Sequence, residues 1–450
     1  RVSKENFLKN SNTIYDLKLR IGYGEVGNQA IANYLYGSSL LTMTTPFGTA
    51  YRLERISNPD LRWEATKQFN AGIDLALYKG RVDLTFDVYQ KETTDMLLQL
   101  SIPSYLGGTN YNDISAPFAN VGSLENRGFD LSLTTRNITG KKFDWTTTLT
   151  YSQNRNQILE LDDDSRVYWR NLYWYSEFQT ATRTAVGSPV GLFYGYVTEG
   201  LFENQQDILD HAVQISDGNT TAENPNGQNL VSKTQGVWIG DVKFKDLNGD
   251  GVIDVNDQTI IGDPNPDFTF GINNNFSYGP FDLTVYVNGA MGVDILNYSR
   301  VVIEGQTSVF NNQAATVANR AQVALIDPNG SADDPENVVL ANPGENTLPR
   351  PSTNDNNRNN RMSDRFIEDG SYLRIQNVRL GYTLPTTLTQ KIRIQRLRVY
   401  ANAQNLYTIT NYSGYDPEIG SFNQDPLLQN VDMGRYPSPR LFTFGLDVDF

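Results

Sequence analysis

The sequence predicts an all-β protein whose strands build part of a transmembrane antiparallel β-barrel, and three observations carry that prediction. From Arg440 to Phe450, the residues Phe442, Phe444, Leu446, Val448 and Phe450 alternate with Thr443, Gly445, Asp447 and Asp449. That is the period-two pattern of a strand with one apolar and one polar face. Nine earlier segments repeat the alternation, and the connections between successive segments are short and long by turns. In an up-and-down barrel this parity places every short turn at one rim and every long loop at the other. A terminal strand of a soluble sandwich has the same alternation, but Greek-key crossings give no reason for the parity.

Taken in order, the first strand runs through Tyr15, Leu17, Leu19, Ile21 and Tyr23, against Asp16, Lys18, Arg20 and Gly22. A long loop follows to about Gln68. The second carries Phe69, Ala71, Ile73, Leu75 and Leu77, and Lys79-Gly80 turns it into the third, with Val82, Leu84, Phe86 and Val88. This is a hairpin signal. A loop containing Pro103, Gly107, Gly108 and Pro117 leads to the fourth strand, with Phe129, Leu131 and Leu133. Asn137 to Lys141 turns it into the fifth, with Phe143, Trp145, Leu149 and Tyr151.

A very long excursion, 154–266, precedes the sixth strand, with Phe268, Phe270, Ile272 and Phe276. Gly279-Pro280 turns it into the seventh, with Phe281, Leu283, Val285 and Val287. Met291 to Gly370 is again long, and its Asn-, Asp- and Pro-rich part from Asp327 to Arg361 reads as irregular loop. The eighth strand changes phase between Ile375 and Val378, which predicts a bulge near Asn377. The ninth carries Leu397, Val399, Ala401 and Ala403, and the tenth is the terminal stretch.

Composition narrows the function. There are 37 basic and 51 acidic residues, a net charge of −14, with no basic stripe, so no nucleic-acid partner is expected. The 25 Tyr and 21 Phe suit strands and wet loops. With one His, His211, and no Cys, thiol chemistry, His/Cys zinc sites and Ser-His triads are excluded. Carboxylates abound, but none pairs into an assignable acid and base, so no enzyme activity is expected. No apolar run approaches the ~18 residues of a membrane helix. The opening residues carry no export signal, and the chain reads as the later part of a longer one whose signal lies upstream.

The sharpest local motif runs from Asp246 to Asp257. Asp246, Asn248 and Asp250 stand at positions one, three and five, Gly251 at six, Val252 at seven for its carbonyl, Asp254 at nine and Asp257 at twelve. This is the spacing of an EF-hand calcium loop, which offers a hard cation a shell of oxygens. It departs from the usual pattern in having Asp at twelve and extended flanks where helices are usual. An Asx-rich turn held by its own hydrogen bonds is the plain alternative. The rings of Tyr168, Trp169, Tyr173, Trp174 and Tyr175 are candidates for stacking on sugars or peptide side chains, or for packing on a neighbouring loop or a partner protein. Asp162, Asp163 and Asp164 read as a solvated charge run.

These residues together resemble the C-terminal barrel portion of the SusC/RagA-type TonB-dependent outer-membrane transporters. The matching stretches are LKLRIGYGEVGNQ (17–29), NPDLRWEATKQFNAGIDLAL (58–77), DVYQKETTDMLL (87–98), NVGSLENRGFDLSL (120–133) and VGLFYGYVTEGLF (190–202). They continue with the calcium-loop region 240–278, FIEDGSYLRIQNVRLGYTLP (366–385) and LRVYANAQNLYTITNYSGYDPE (397–418).

The resemblance implies that 1–450 supplies the last ten strands of a barrel of about 22, spanning outer-membrane lipid. It also implies a plug and a TonB-binding segment encoded upstream, a SusD-like lipoprotein over the outer mouth, and uptake of oligosaccharides or peptides driven through the TonB complex. The excursion 154–266, calcium loop included, is then extracellular. Substrate choice is expected in the weakly matching stretches Asp162 to Ser188, Asn204 to Gln235 and Thr307 to Arg361. A secreted soluble β protein that binds glycans through calcium and loop aromatics is the alternative.

Overall fold

A computed structural model describes the chain except for residues 7, 9, 10, 29–32, 101–113, 116, 162–166, 175, 176, 223, 307–309, 345, 346 and 390–392, with backbone alone at 99, 174, 177 and 178. Ten long strands dominate it: β1 (Ile14–Asn28), β2 (Glu64–Leu77), β3 (Val82–Thr94), β4 (Ser123–Thr139) and β5 (Phe143–Glu160), then β6 (Phe268–Tyr278), β7 (Phe281–Met291), β8 (Tyr372–Thr383), β9 (Arg396–Thr410) and β10 (Leu441–Asp449). They pair in chain order into one antiparallel sheet of ten strands, with β1 and β10 at its edges.

Register joins the apolar faces into a band. Leu19 opposes Ile73, Ile73 opposes Phe86, Phe86 opposes Leu131, Leu131 opposes Tyr151 and Tyr151 opposes Phe270. A slip of one residue would turn the whole set to the other side, so the pattern fixes the pairing. The band faces outward, uncovered: Ile21 and Phe444 are each 81% exposed. Two rows of rings edge it. Phe86, Phe129, Tyr151 and Phe268 follow one another at 5.7, 5.6 and 5.1 Å, and Trp145 stacks on Phe276 at 5.6 Å. Tyr151 and Trp145 stand roughly 20 Å apart along β5 at the strand rise of ~3.3 Å per residue. Outer-membrane barrels carry such aromatic girdles on either side of an apolar band ~25 Å tall.

The turns after β2, β4 and β6 are tight. Tyr78, Lys79 and Gly80 all take positive φ, as Gly279 does. The described part of the β8–β9 connection includes a four-residue helix, Thr386–Thr389. The expected bulge lies beside Asn377: Tyr286 pairs with Asn377 and Val287 with Ile375, leaving Gln376 unpaired.

The long connections are more structured than the sequence predicts. The loop expected to reach about Gln68 contains a hairpin, Ser39–Thr45 with Gly48–Arg55, and ends at Glu64. Strand β4 begins at Ser123, β5 continues to Glu160 and β9 to Thr410. These extensions lie beyond the apolar band, where Ser123 and Ile158 are buried beside the loop layer and the alternation of polarity that marks a lipid-facing strand disappears. Within Asp327 to Arg361, Val338–Leu340 pairs with Val323–Leu325, so the irregular reading holds only in part.

The packed core lies in the connections. Among the described residues, the largest fully buried side chains, Phe193, Phe202, Phe244 and Phe366 among them, all lie outside the ten strands. One cluster unites Leu172, Ala181 and Phe193 from the β5–β6 connection with Leu296, Met362 and Phe366 from β7–β8 and Leu428 and Val431 from β9–β10. Three loops therefore form one folded layer at the long-loop rim.

Candidate functional site

The inner face of the sheet is polar and knit by charge. The Arg20 guanidinium donates to Asp74 at 3.0 and 2.9 Å and to Asp87 at 3.0 Å. It lies against Gly72, where a Cβ would stand 2.9 Å from its Nη2. Arg398 donates to Asp282 at 2.9 Å and to Asp447 at 2.8 Å. Between these networks, Asp87, Asp130, Ser132, Thr150 and Asn288 line a cavity of about 470 Å³. Ser152 donates to Asp130 at 2.5 Å, and Tyr89 donates to Asn154 at 3.1 Å.

A second cavity of about 370 Å³ shares Ser152 and Thr269 with the first and continues toward the loop layer past Asn126, Asn154, Asn156 and Asn265. Asn156 donates to Asn265 at 2.9 Å. The wall thus offers paired amides and hydroxyls, which both donate and accept hydrogen bonds, and two carboxylates, which accept them. In the sequence Arg20 and Asp87 are only the polar half of an alternation, and Asn154, Asn156 and Asn265 fall in the long excursion. The signal that could have found them is an Arg on one strand matched to an Asp on each of the next two.

In the loop layer the aromatic stretch is a strand, Val167–Trp174, paired with Glu177–Ala185. Trp169, Asn171 and Tyr173 face out, and Leu172 enters the core. Trp169 meets Tyr194 with ring centroids 5.0 Å apart, and the Arg183 guanidinium stands 5.9 Å over it. Tyr168 is half-buried, so it belongs to the other face. Of Trp174 only the backbone is described; Tyr175 and Asp162 to Asp164 lie outside the described residues. His211 stacks edge-on against Phe202 at 5.2 Å and bonds the Phe244 carbonyl at 2.9 Å, a packing role.

The loop 246–257 lies between the short strands Val242–Phe244 and Gln258–Gly262, as its extended flanks predict. Asp246 accepts the amides of Gly249 and Gly251 at 2.6 and 2.9 Å, and both glycines have positive φ. Asp250 accepts the Val252 amide, Asp254 the Asn256 amide, and the buried Asp257 those of Leu247 and Asp254. The donor set is all oxygen, which suits a hard cation. In this arrangement the carboxylates turn to the backbone, and among the described residues no three acids converge on one point.

Behind that loop stands a polar core the sequence reading did not find. Asp241 is fully buried and accepts from Arg350 at 2.7 Å, from the Trp238 amide at 2.8 Å and from Asn359 at 2.9 Å. Burial pushes its carboxyl above the ordinary range against the pull of Arg350. The Arg361 guanidinium lies between Phe244 at 4.1 Å and Tyr196 at 5.0 Å, and burial draws it below its usual value. Burial also lowers Arg365, to about 10. The run Asn356 to Arg361 looks like a solvated loop in sequence, yet it joins the two largest connections.

An antiparallel sheet that turns rings and aliphatic chains outward, polar pairs inward and folded loops to one rim is the wall of an outer-membrane β-barrel. Residues 3–406 match the family described as TonB dependent receptor-like, beta-barrel, and the chain belongs to that family. It is 33% identical to TonB-dependent receptor P3 of Formosa agariphila, and 29% identical to TonB-dependent receptor SusC of Bacteroides thetaiotaomicron. Both matches cover 100% of this chain, which spans 41% and 39% of those relatives. In three dimensions it resembles the RagAB peptide importer in its closed-closed state, with a TM-score of 0.71 and 24% identity over 100% of this chain and 42% of that one.

Proposed function

We propose that this chain is the wall and outer loop layer of a TonB-dependent importer that takes up oligosaccharides or peptides together with a SusD-like surface lipoprotein. One observation carries the reading: the apolar band faces outward across the ten strands, the polar groove faces inward, and every folded connection gathers at one rim. That rim is extracellular, and the groove guides an oligomer past the wall. The amide and hydroxyl pairs along Asn126, Asn154 and Asn156 exchange hydrogen bonds with hydroxyls or peptide groups at little desolvation cost, since each can donate and accept. The chain itself performs no covalent chemistry; the energised step belongs to the TonB complex.

The outward ring face of Trp169 and Tyr173 is a contact surface for substrate or lipoprotein. Asp246, Asn248, Asp250, Asp254 and Asp257, with the Val252 carbonyl, hold a structural calcium when the ion is present. A bound calcium supplies charge and cross-linking, drawing the acidic side chains inward and tying Val242–Phe244 to Gln258–Gly262.

The test is genetic and biochemical together. Deleting the encoding gene should abolish growth on the oligomer the cell imports, and complementation should restore it. Affinity-tagged protein should copurify with a surface lipoprotein from outer membranes. Growth unchanged by deletion on every oligomer the cell uses would overturn the importer reading.

A further inference from the structure

Within the loop layer, Lys233, Arg320 and Arg350 line one cavity of about 580 Å³. No carboxylate lines it among the described residues, in a chain whose net charge is −14. Each cation is held differently. Arg350 is fixed by the buried Asp241 at 2.7 Å, while Lys233 meets Asp333 at 3.0 Å through a pair open to water and weakly coupled. Arg320 is exposed and, among the described residues, has no carboxylate within ion-pair distance. Positive charge in a concave site with low-dielectric walls focuses its field on whatever enters.

The remaining lining is mostly amide and hydroxyl, including Thr234, Gln306, Gln313 and Asn354. Gln306 donates to the Pro349 carbonyl at 3.2 Å, which fixes its amide. Among the described residues, Val317 and Pro351 are the apolar members of the lining. The volume falls in the roughly 300–1,000 Å³ range of small-ligand sites.

We propose that this cavity binds an acidic oligosaccharide, with a uronic-acid carboxylate on Arg320 and Lys233 and ring hydroxyls against the amides and hydroxyls of Thr234, Gln313 and Asn354. The assignment rests on the importer reading for its use, because it names the class of oligomer that the loop layer collects. Lys233 and Arg320 set the charge preference.

Purified full-length protein is titrated calorimetrically with tetragalacturonate and with cellotetraose, at low and high salt. Tetragalacturonate should bind, and high salt should weaken it. Cellotetraose should bind at least tenfold more weakly. The double variant Lys233→Ala/Arg320→Glu should lose tenfold or more, while Arg320→Lys keeps most of the affinity. Both side chains are at the surface, and unchanged thermal unfolding shows that the variants fold. Equal affinity for the two sugars, or a double variant that binds like the parent, overturns the proposal. Uptake separates the two readings. If cells import some other oligomer through this protein and tetragalacturonate does not bind it, the cavity assignment fails and the importer stands. Charge-dependent binding without uptake of any oligomer supports the site and counts against the importer.

Discussion

The ring of Tyr400 lies across Gly445 on the inner face of the sheet, so close that a Cβ at Gly445 would stand 2.3 Å from its Cζ. The two residues are direct partners in the β9–β10 ladder. The ring is held between cations: the Arg379 guanidinium sits 4.0 Å from its centroid and Arg398 5.4 Å, and Arg398 also bonds Asp282 and Asp447. A glycine inside a strand usually weakens it. Here it makes room for a stack that ties three strands together.

Gly445→Ala should therefore push Tyr400 off its seat and loosen both arginines, at a cost of about 1–3 kcal/mol as overpacking usually entails. The measurement is heat-modifiable migration of the assembled protein, whose midpoint should fall. Tyr400→Phe keeps the ring and should leave the midpoint nearly unchanged; an unshifted Gly445→Ala would show that the contact is not needed.

On the outer face, Phe444→Arg should impair assembly, since a cation on the lipid side of a barrel costs about 2–4 kcal/mol near the midplane. Thr443→Arg, one residue away and facing inward opposite Asn402, should be tolerated. Equal outer-membrane levels of the two variants would contradict the orientation of the sheet.

Topology can be read by labelling, because the chain has no Cys. A bulky impermeant maleimide added to intact cells should modify Gly227→Cys, in the β5–β6 connection. It should leave Gly140→Cys, in the turn after β4, untouched until the outer membrane is opened. Reaction at Gly140→Cys in intact cells would reverse the sheet and move the loop layer to the periplasm.

The calcium loop has its own test. Adding calcium to chelator-treated protein should raise the unfolding temperature of the loop layer and protect 246–257 from proteolysis, and Asp250→Ala should abolish both effects while the barrel remains assembled. Identical proteolysis with calcium and with chelator would leave the stretch as a turn closed by its own hydrogen bonds.

Acid should weaken the β9–β10 connection through Asp416. Burial works against its charge, but the amides of Ser438 and Glu418 and the buried Arg374 prevail, so its carboxyl sits below the ordinary range. A depressed folded value means stability that is present above the unfolded pKa of about 3.9 and lost as the pH falls through the folded one. Asp416→Asn leaves Arg374 with Glu418, at 2.8 Å, as its remaining carboxylate, and should cost about 1–3 kcal/mol at neutral pH. Its deficit in thermal stability should shrink as both proteins are taken below about pH 4; a deficit independent of pH would remove Asp416 as its source.

The sequence by itself determined the ten strands, their order, the short turns at Lys79-Gly80 and Gly279-Pro280 and the bulge beside Asn377. Where one face of a strand meets an apolar medium and the other water, alternation along the chain records the environment residue by residue, and adjacent strands joined by short turns leave no choice of partner. Only the tertiary structure decided what the long connections do. Phe193, Phe366 and Val431 are far apart in the chain and carry no periodicity that points to one another, yet they share one core. Asp241 and Arg350, or Lys233 and Arg320, become neighbours only when two excursions fold together, because a contact between loops depends on three-dimensional closure that no local pattern encodes. Even in the loop 246–257, where the spacing predicts a shell of oxygens, the direction each carboxylate takes was settled by the backbone amides it found nearby.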